Sequence, residues 1–333
     1  MTIELFCNLV WDLSYSQVSQ SIVKTEYKEF VIPKKKGIRK INYLPHTSKL
    51  FNIQKGLMRY LGRQELPNCV KGFRKNENYL SYLESHVGSK YFLRVDIKDF
   101  FPSITESIIK KEIEHFIVFD SQKDKEKILD IVCDAVTYNG VIPQGAPSSP
   151  IISNLIMIRI DQRITKYCQA LGIRYTRYAD DMLFSSGDFD FNIKKWFIKK
   201  IKYILSSNEL KLNYSKIKVG EGEISLNGYV VSDMGIRLSR ERLSDIRMLV
   251  SYSKNNFAIA KINPNLFLSD VNSLPLKHRN LSEHPFKTIY QYLQFLCGYR
   301  SYLISFLGFD IDPVFAKKVK KIVKNIEEQI KKY

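Results

Sequence analysis

The chain has 333 residues, enough to bury a sizeable core and to hold two or three compact subdomains. Its 52 lysines and arginines against 34 aspartates and glutamates leave a net charge of +18. That balance points to a polyanionic partner bound in a salt-dependent way, and says nothing about fold. No stretch is long and apolar enough to span a bilayer, and Glu4 and Asp12 stand where a signal peptide would be basic, so no membrane is expected. Cys7, Cys69, Cys133, Cys168 and Cys297 are scattered and odd in number, which predicts buried, reduced thiols in a cytoplasmic protein and argues against disulfides or zinc.

Residues 1–30 read as mixed helical and polar. From Glu29 to Ile41 the sequence alternates around a basic tip, Lys34-Lys35-Lys36-Gly37, as a β-hairpin does. Residues 48–62 are amphipathic at helical spacing. Gly72-Phe73-Arg74 and a polar run lead through Ser85-His86-Val87-Gly88 to Tyr91-Phe92-Leu93-Arg94-Val95-Asp96, a short strand ending in a carboxylate, and Pro102 stops any regular continuation. Asp99 is expected to cap the next segment or to meet a basic neighbour. A second amphipathic helical stretch covers 104–118. Gly140 to Pro150 precedes a long helical pattern with Ile152, Leu155, Ile156, Ile160 and Ile164 as its apolar positions. Ser149 suits its N-cap, Pro150 its first turn and Gly172 its stop.

Two strand-like runs, Ile173–Arg177 and Met182–Ser185, flank Tyr178-Ala179-Asp180-Asp181, so a hairpin would carry two adjacent aspartates at its turn. Aspartate is common in solvated turns. Like charges a few ångströms apart repel, however, and one stays protonated unless a cation neutralises them. With Asp96 at the end of another strand, Asp96, Asp180 and Asp181 can converge on Mg²⁺, which takes one or two carboxylates and completes its shell with water and phosphates. Two such ions form a clamp for in-line displacement at phosphorus.

Beyond the hairpin, Ile193, Trp196, Phe197, Ile201, Ile204 and Leu205 recur at helical spacing with lysines on other faces. From about 237 the chain reads as helical, with segments near 238–252, 286–307 and 313–332. The last carries seven lysines against Glu327 and Glu328, with Val319, Ile322, Val323, Ile326 and Ile330 as its apolar stripe. Tyr299, Tyr302 and Phe306 read as core more readily than as a base-stacking platform.

Three of these elements, in this order and spacing, resemble the reverse transcriptase family. Its motif A is an Asp at a strand end with an aromatic five residues on, here Asp96 and Phe101. Its motif B is Pro-Gln-Gly, here Pro143-Gln144-Gly145, and its motif C is Tyr-x-Asp-Asp, here Tyr178 to Asp181. Phe100-Phe101-Pro102-Ser103-Ile104, Gln144 to Pro150 and Tyr175 to Asp181 are similar to the compact bacterial enzymes of retrons and related phage-defence systems.

The resemblance implies an α+β fold of right-hand polymerase architecture, with fingers, a palm built on an antiparallel sheet, and a helical thumb. Residues 1–90 would form the N-terminal segment and fingers, and 91–103 the palm strand of motif A. Residues 104–150 would be a fingers insertion leading to motif B, 151–236 the rest of the palm, and 237–333 a helical basic thumb. The implied activity is RNA-directed DNA polymerisation: a structured noncoding RNA copied into cDNA from dNTPs with two Mg²⁺ ions. Asp96, Asp180 and Asp181 would be catalytic, together with Lys216 of Leu212-Asn213-Tyr214-Ser215-Lys216 as a candidate acid for the leaving pyrophosphate. Asp96, Ile97, Asp180 and Asp181 are the implied metal positions. Arg39, and more loosely Lys36, would meet the triphosphate; Phe101 would exclude a ribose 2′-hydroxyl; Gln144 would position the nascent pair. Leu226-Asn227-Gly228-Tyr229 falls where the family grips the primer terminus. Template RNA, RNA–DNA duplex and an operon-encoded effector are the implied partners.

Two family elements diverge. Retron enzymes carry Asn-Ala-x-x-His before the catalytic strand, where this chain has Tyr82-Leu83-Glu84-Ser85-His86, and Val-Thr-Gly where it has Leu226-Asn227-Gly228. Both are associated with recognising the cognate RNA, so a different RNA is implied. Nontemplated or protein-primed synthesis, and a noncatalytic RNA-binding component with a polymerase fold, stand as alternatives.

Overall fold

A computed structural model describes residues 1–33, 38–277, 281 and 283–332. Helices α1 (Ile3–Trp11) and α2 (Tyr15–Ser21) precede an antiparallel hairpin of β1 (Lys28–Pro33) and β2 (Ile38–Tyr43), with Lys28 opposite Tyr43. Then come α3 (Lys49–Leu61), α4 (Tyr79–Glu84), β3 (Tyr91–Asp96), α5 (Glu106–Ile113), α6 (Gln122–Val136) and α7 (Ser149–Ala170). The acidic hairpin follows as β4 (Arg174–Tyr178) and β5 (Asp181–Ser186), and after it α8 (Trp196–Leu205) and β6 (Lys218–Glu221). A three-stranded meander comprises β7 (Glu223–Leu226), β8 (Tyr229–Ser232) and β9 (Gly235–Leu238). The rest is helical: α9 (Arg240–Asn255), α10 (Phe257–Ile262), α11 (Pro264–Asn272), α12 (Ile289–Phe306) and α13 (Pro313–Lys332). A four-stranded sheet has the order β4-β5-β3-β6.

The chain divides into two compact units. The first comprises Met1–Tyr82, Leu93–Phe184 and Phe191–Lys218; the second comprises Leu83–Phe92, Ser185–Asp190 and the chain from Val219 onward. In the first, α1 and α6 pack on α3, and α5 packs on α7, burying Phe6, Leu57, Ile109, Val132 and Ile156. In the second, α13 packs on α9 and α12 around Ile246, Leu249, Leu303, Val319 and Ile326. Among the described residues no helix is long and apolar enough to cross a membrane.

Several local expectations shift. The N-cap of α7 is Ser148, because the Ser149 hydroxyl donates instead to the Pro143 carbonyl at 2.7 Å and is tied to the preceding loop. Gly172 does end the helical region, at φ +65°. Helix α6 goes beyond the sequence reading: its first two turns are mainly charged and its apolar side chains begin only at Ile128. Cys297 is exposed on α12, unlike the four buried thiols. On α13 the buried stripe takes in Gln329 and leaves Ile330 half-buried.

Helix α8 starts later than its periodicity suggested, so Ile193 is 79% exposed and Trp196 46%, leaving Phe197, Ile201, Ile204 and Leu205 as the buried face. Phe197 is the centre of an aromatic cluster, 5.2 Å from Phe184 and 5.6 Å from Phe191 between centroids, and stacked on Tyr167 at 6.1 Å. Phe197→Ala is expected to cost about 3–5 kcal/mol in urea unfolding. Trp196→Ala, one residue earlier, should stay within about 1 kcal/mol.

Candidate active site

The acidic turn lies in the first unit. Strand β4 stops at Tyr178 and β5 resumes at Asp181, so Ala179 and Asp180 make the turn. Ala179 takes φ +55°, a left-handed conformation uncommon without glycine and sustained only where neighbours hold it. Arg177 supplies one such hold. It is fully buried and donates Nη1–H to the Ala179 carbonyl at 3.0 Å, while its Nε and Nη2 bind Asp161 of α7 at 3.0 and 2.7 Å. Asp161 also accepts from the Tyr175 hydroxyl at 2.8 Å. From the other side, segment 69–72 runs along β4: Arg177 N–H donates to the Cys69 carbonyl and Lys71 N–H to the Arg177 carbonyl. Gly72 then comes so close that a Cβ there would sit 2.5 Å from the Ala179 nitrogen. Only glycine permits that approach.

Strand β3 delivers Asp96 to the same place, and the Ile97 N–H donates to the Asp180 carbonyl at 3.0 Å. Asp96 is buried and accepts from Lys216 Nζ at 2.9 and 3.0 Å and from Asn213 Nδ2 at 3.1 Å. Asp180 has its carboxyl pushed up by burial and by the charges of Asp96 and Asp181. Burial also raises Asp181, against the pull of Arg94, whose Nε and Nη2 bind its two oxygens at 2.8 and 2.7 Å.

A pocket of 630 Å³ gathers most of the candidates: Arg39, Asp96, Ile97, Phe101, Gln144, Asp180 and Lys216 all line it. Asp181 does not; it faces Arg94. Lys36 lies outside the described residues. Phe101 is braced edge-on by Phe100 and Phe73, at 5.6 and 6.3 Å between centroids. Gln144 is bound to β2 by the Asn42 N–H, which donates to its carbonyl at 2.8 Å. Beside it Gly145 adopts φ +109°, and a Cβ would meet Ile41 Cγ2 at 2.5 Å. Asp99 departs from expectation: among the described residues its side chain neither caps a helix nor makes an ion pair. It is exposed at φ +46° on the rim of the pocket, because the tight turn into 101–103 points it outward.

In the second unit, His86, the residue kept from the retron motif, is fully buried, its Nδ1 hydrogen-bonded to Ser185 Oγ at 2.7 Å. Ser185 is also bonded to Ser89. His86 therefore offers no surface to RNA.

Sequence reasoning missed Arg94, Asp161, Arg177 and Gly72 as parts of the site. The available signal was Arg94 within an otherwise mostly apolar strand run and Arg177 closing the run Ile173–Arg177, since a charge in a buried strand needs a partner.

Among the described residues, no three His, Cys, Asp or Glu side chains are grouped so as to hold a metal ion. The donors facing the pocket still fit one. Asp96 and Asp180 are hard oxygen ligands, Ile97 can add only its main-chain carbonyl, and Mg²⁺ characteristically accepts one or two carboxylates beside water and phosphate. Burial and, after it, the charges of Asp96 and Asp181 raise Asp180, and a bound cation would offset both.

Two outcomes follow from this geometry. Asp161→Ala leaves a guanidinium buried without its partner and should cost about 3–5 kcal/mol in urea unfolding. Asp180, raised above its ordinary value of 3.8, destabilises the fold once ionised. That penalty is absent below the ordinary value, grows as pH rises through the raised one and is complete above it. In EDTA at about pH 7.5, Asp180→Asn should therefore raise Tm by about 1–3 °C, and the gain should vanish near about pH 3.5.

The family model described as reverse transcriptase (RNA-dependent DNA polymerase) matches residues 32–296. The retron Ec86 reverse transcriptase of Escherichia coli is 31% identical over 186 residues, covering 54% of this chain and 55% of that relative. The retron Ec73 reverse transcriptase of the same species is 31% identical over 239 residues, covering 67% and 75%. The chain thus spans about half the length of the first relative and three quarters of the second. A solved telomerase from Candida albicans, in complex with a fragment of telomeric RNA, superposes with a TM-score of 0.50 at 14% identity, over 92% of this chain and 64% of that one, which is a likeness of fold alone. With the motif residues around one pocket and the family model covering most of its length, this α+β chain has the right-hand polymerase fold and belongs to the reverse transcriptase family, in its bacterial retron type.

Proposed function

We propose that this chain is an RNA-directed DNA polymerase that copies a structured noncoding RNA into cDNA, within a retron or related anti-phage system. The observation that carries the reading is the single pocket lined by Asp96 and Asp180 together with Arg39, Phe101, Gln144 and Lys216. Acidic, basic, aromatic and amide side chains of this kind match the metal, triphosphate, sugar and base of a bound dNTP. In this reading the fingers run through residues 1–90 and 104–150, the palm through 91–103 and 151–236, and the thumb from 237.

Asp96, Asp180 and the Ile97 carbonyl would hold Mg²⁺, with Asp181 supporting the site. Bound Mg²⁺ supplies Lewis acidity to the primer hydroxyl and to the leaving pyrophosphate. Arg39 can grip triphosphate oxygens bidentately. Phe101, fixed by Phe73 and Phe100, fills the space that a 2′-hydroxyl would need. Gln144 orients the nascent pair. Lys216 Nζ lies against Asp96 while its side chain is 53% exposed, so the same ammonium can neutralise Asp96 and present a proton to pyrophosphate.

A basic groove in the second unit supports a nucleic-acid partner. Two cavities of 570 and 500 Å³ between α9 and α13 share Arg247 and Lys318, and continue to Arg240 at one end and to Lys254 and Lys321 at the other. From Arg240 to Lys254 the groove follows about 21 Å of helix. A row of cations of that length suits a phosphate backbone.

The test is Mg²⁺-dependent primer extension on an RNA template, with the double variant Asp180→Asn, Asp181→Asn as control. Extension is expected from the unaltered chain and a loss of about 10³-fold or more from the variant. Product without template would favour nontemplated synthesis, and RNA binding without product would favour the noncatalytic alternative. In the same assay Phe101→Ala should raise NTP incorporation relative to dNTP by about 10-fold or more; unchanged selectivity would remove the sugar-filter role.

A further inference from the structure

We propose that the cavity beside the β7–β8 turn holds one unstacked nucleobase of a single-stranded nucleic-acid segment, with Arg242 on its phosphate or base edge. The inference rests on reading the chain as a nucleic-acid polymerase, and adds a base site within the second unit, apart from the dNTP pocket of the first.

The cavity measures 570 Å³, within the range of small-ligand sites. Phe295 and Tyr299 of α12 are its aromatic lining, Ile246 and Leu276 are apolar walls, and the buried Asp245, which accepts from the Lys277 N–H at 2.9 Å, also lines it. The aromatic pair stands 6.0 Å apart between centroids, one helical turn separating the two residues. Both residues are half-buried and line the cavity. Of the aromatic series at the end of α12, Phe306 is core and Tyr302 is bonded to Tyr229, whereas Tyr299 lines the cavity.

Arg242 is built into the wall rather than waving over it. Asn227 and Gly228 form a tight turn at φ +46° and +85°, and a Cβ on Gly228 would stand 3.0 Å from Arg242 Cδ, so the side chain lies flat along the turn. Its guanidinium carbon is 4.5 Å from the Tyr229 ring centroid and 5.4 Å from that of Tyr302. Nη1 donates to the Asn227 carbonyl at 3.2 Å, and the Tyr299 hydroxyl donates to the Arg242 carbonyl at 2.9 Å. Among the described residues the guanidinium makes no other hydrogen bond and pairs with no carboxylate. A fixed cation with donors to spare, beside aromatic faces in a cavity a few hundred cubic ångströms in size, matches a base and its phosphate. An acyl chain would have no use for the guanidinium, and a bare phosphate none for the rings.

The ligand chemistry is a nucleobase, and a strand or a free nucleotide could supply it. The full chain is cross-linked at 365 nm to a 12-nucleotide RNA bearing 4-thiouridine, and the adducts are mapped by mass spectrometry. A cross-link in the peptide carrying Phe295 and Tyr299 is expected, and adducts confined to other peptides would overturn the proposal. Loss of that adduct to an equal concentration of mononucleotide would also overturn it, by assigning the cavity to free nucleotides. In parallel, Phe295→Leu and Tyr299→Leu are measured by fluorescence anisotropy on the oligonucleotide and on an abasic counterpart. Each should weaken the first by roughly 10- to 100-fold and leave the second, and the salt dependence, unchanged. Equal loss on both strands, or loss on neither, would contradict it. Should a variant fail to fold by circular dichroism, the cross-link on the unaltered chain decides. Both readouts are binding, so they fail separately from primer extension.

Discussion

The acidic turn depends on the buried pair of Arg177 and Asp161. Both side chains are fully excluded from solvent. Such a pair contributes little net stability against an apolar replacement, yet losing one partner strands the other charge in a medium that cannot solvate it. What the pair does give is placement. One guanidinium ties α7 to β4 through Asp161 and ties β4 to its own turn through the Ala179 carbonyl, so the long helix and the acidic turn share a fixed reference. Tyr175 and segment 69–72 complete the network, and each of its bonds restricts where the Asp180 carboxylate can stand.

Around that fixed turn, charge is managed by pairing. Asp181 faces Arg94 and Asp96 faces Lys216, which leaves Asp180 without an ion pair among the described residues, its carboxyl raised by burial first and then by the charges of Asp96 and Asp181. The three acids therefore differ in kind. Asp181 is braced from behind by a guanidinium, Asp96 is neutralised by an ammonium that solvent can reach, and Asp180 is set at the turn against the charges of both neighbours. A cation entering the pocket would meet Asp180 and, in competition with Lys216, Asp96, while Asp181 is turned to Arg94.

The sequence was most legible where one local rule sufficed. Strand β3 ending at Asp96, the hairpin presenting Asp180, and the stop at Gly172 all follow from periodicity and turn chemistry read over a few residues. The residues around the pocket were legible through spacing of motifs. What stayed hidden depends on contacts outside the element in which each residue sits, or on where that element begins. Ser149 loses the N-cap of α7 to a bond with Pro143, Trp196 falls outside the buried face because α8 begins there, and Arg94 and Arg177 find acids 87 and 16 residues away. No local pattern announces such partners. His86, the one position kept from the diverged retron motif, is an internal fastener of Ser185, a role its place in the sequence did not announce.

The bond from the Asn42 N–H to the Gln144 carbonyl, with Gly145 seated against Ile41, makes the hairpin and the loop before α7 a single lever. Strand β2 cannot swing without carrying Gln144, and Arg39 lies three residues from the pivot. A shift of β2 at Arg39 would therefore reach Gln144 through a single main-chain bond. On the roles proposed for these two residues, the grip on the triphosphate and the placement of the base pair would share one support.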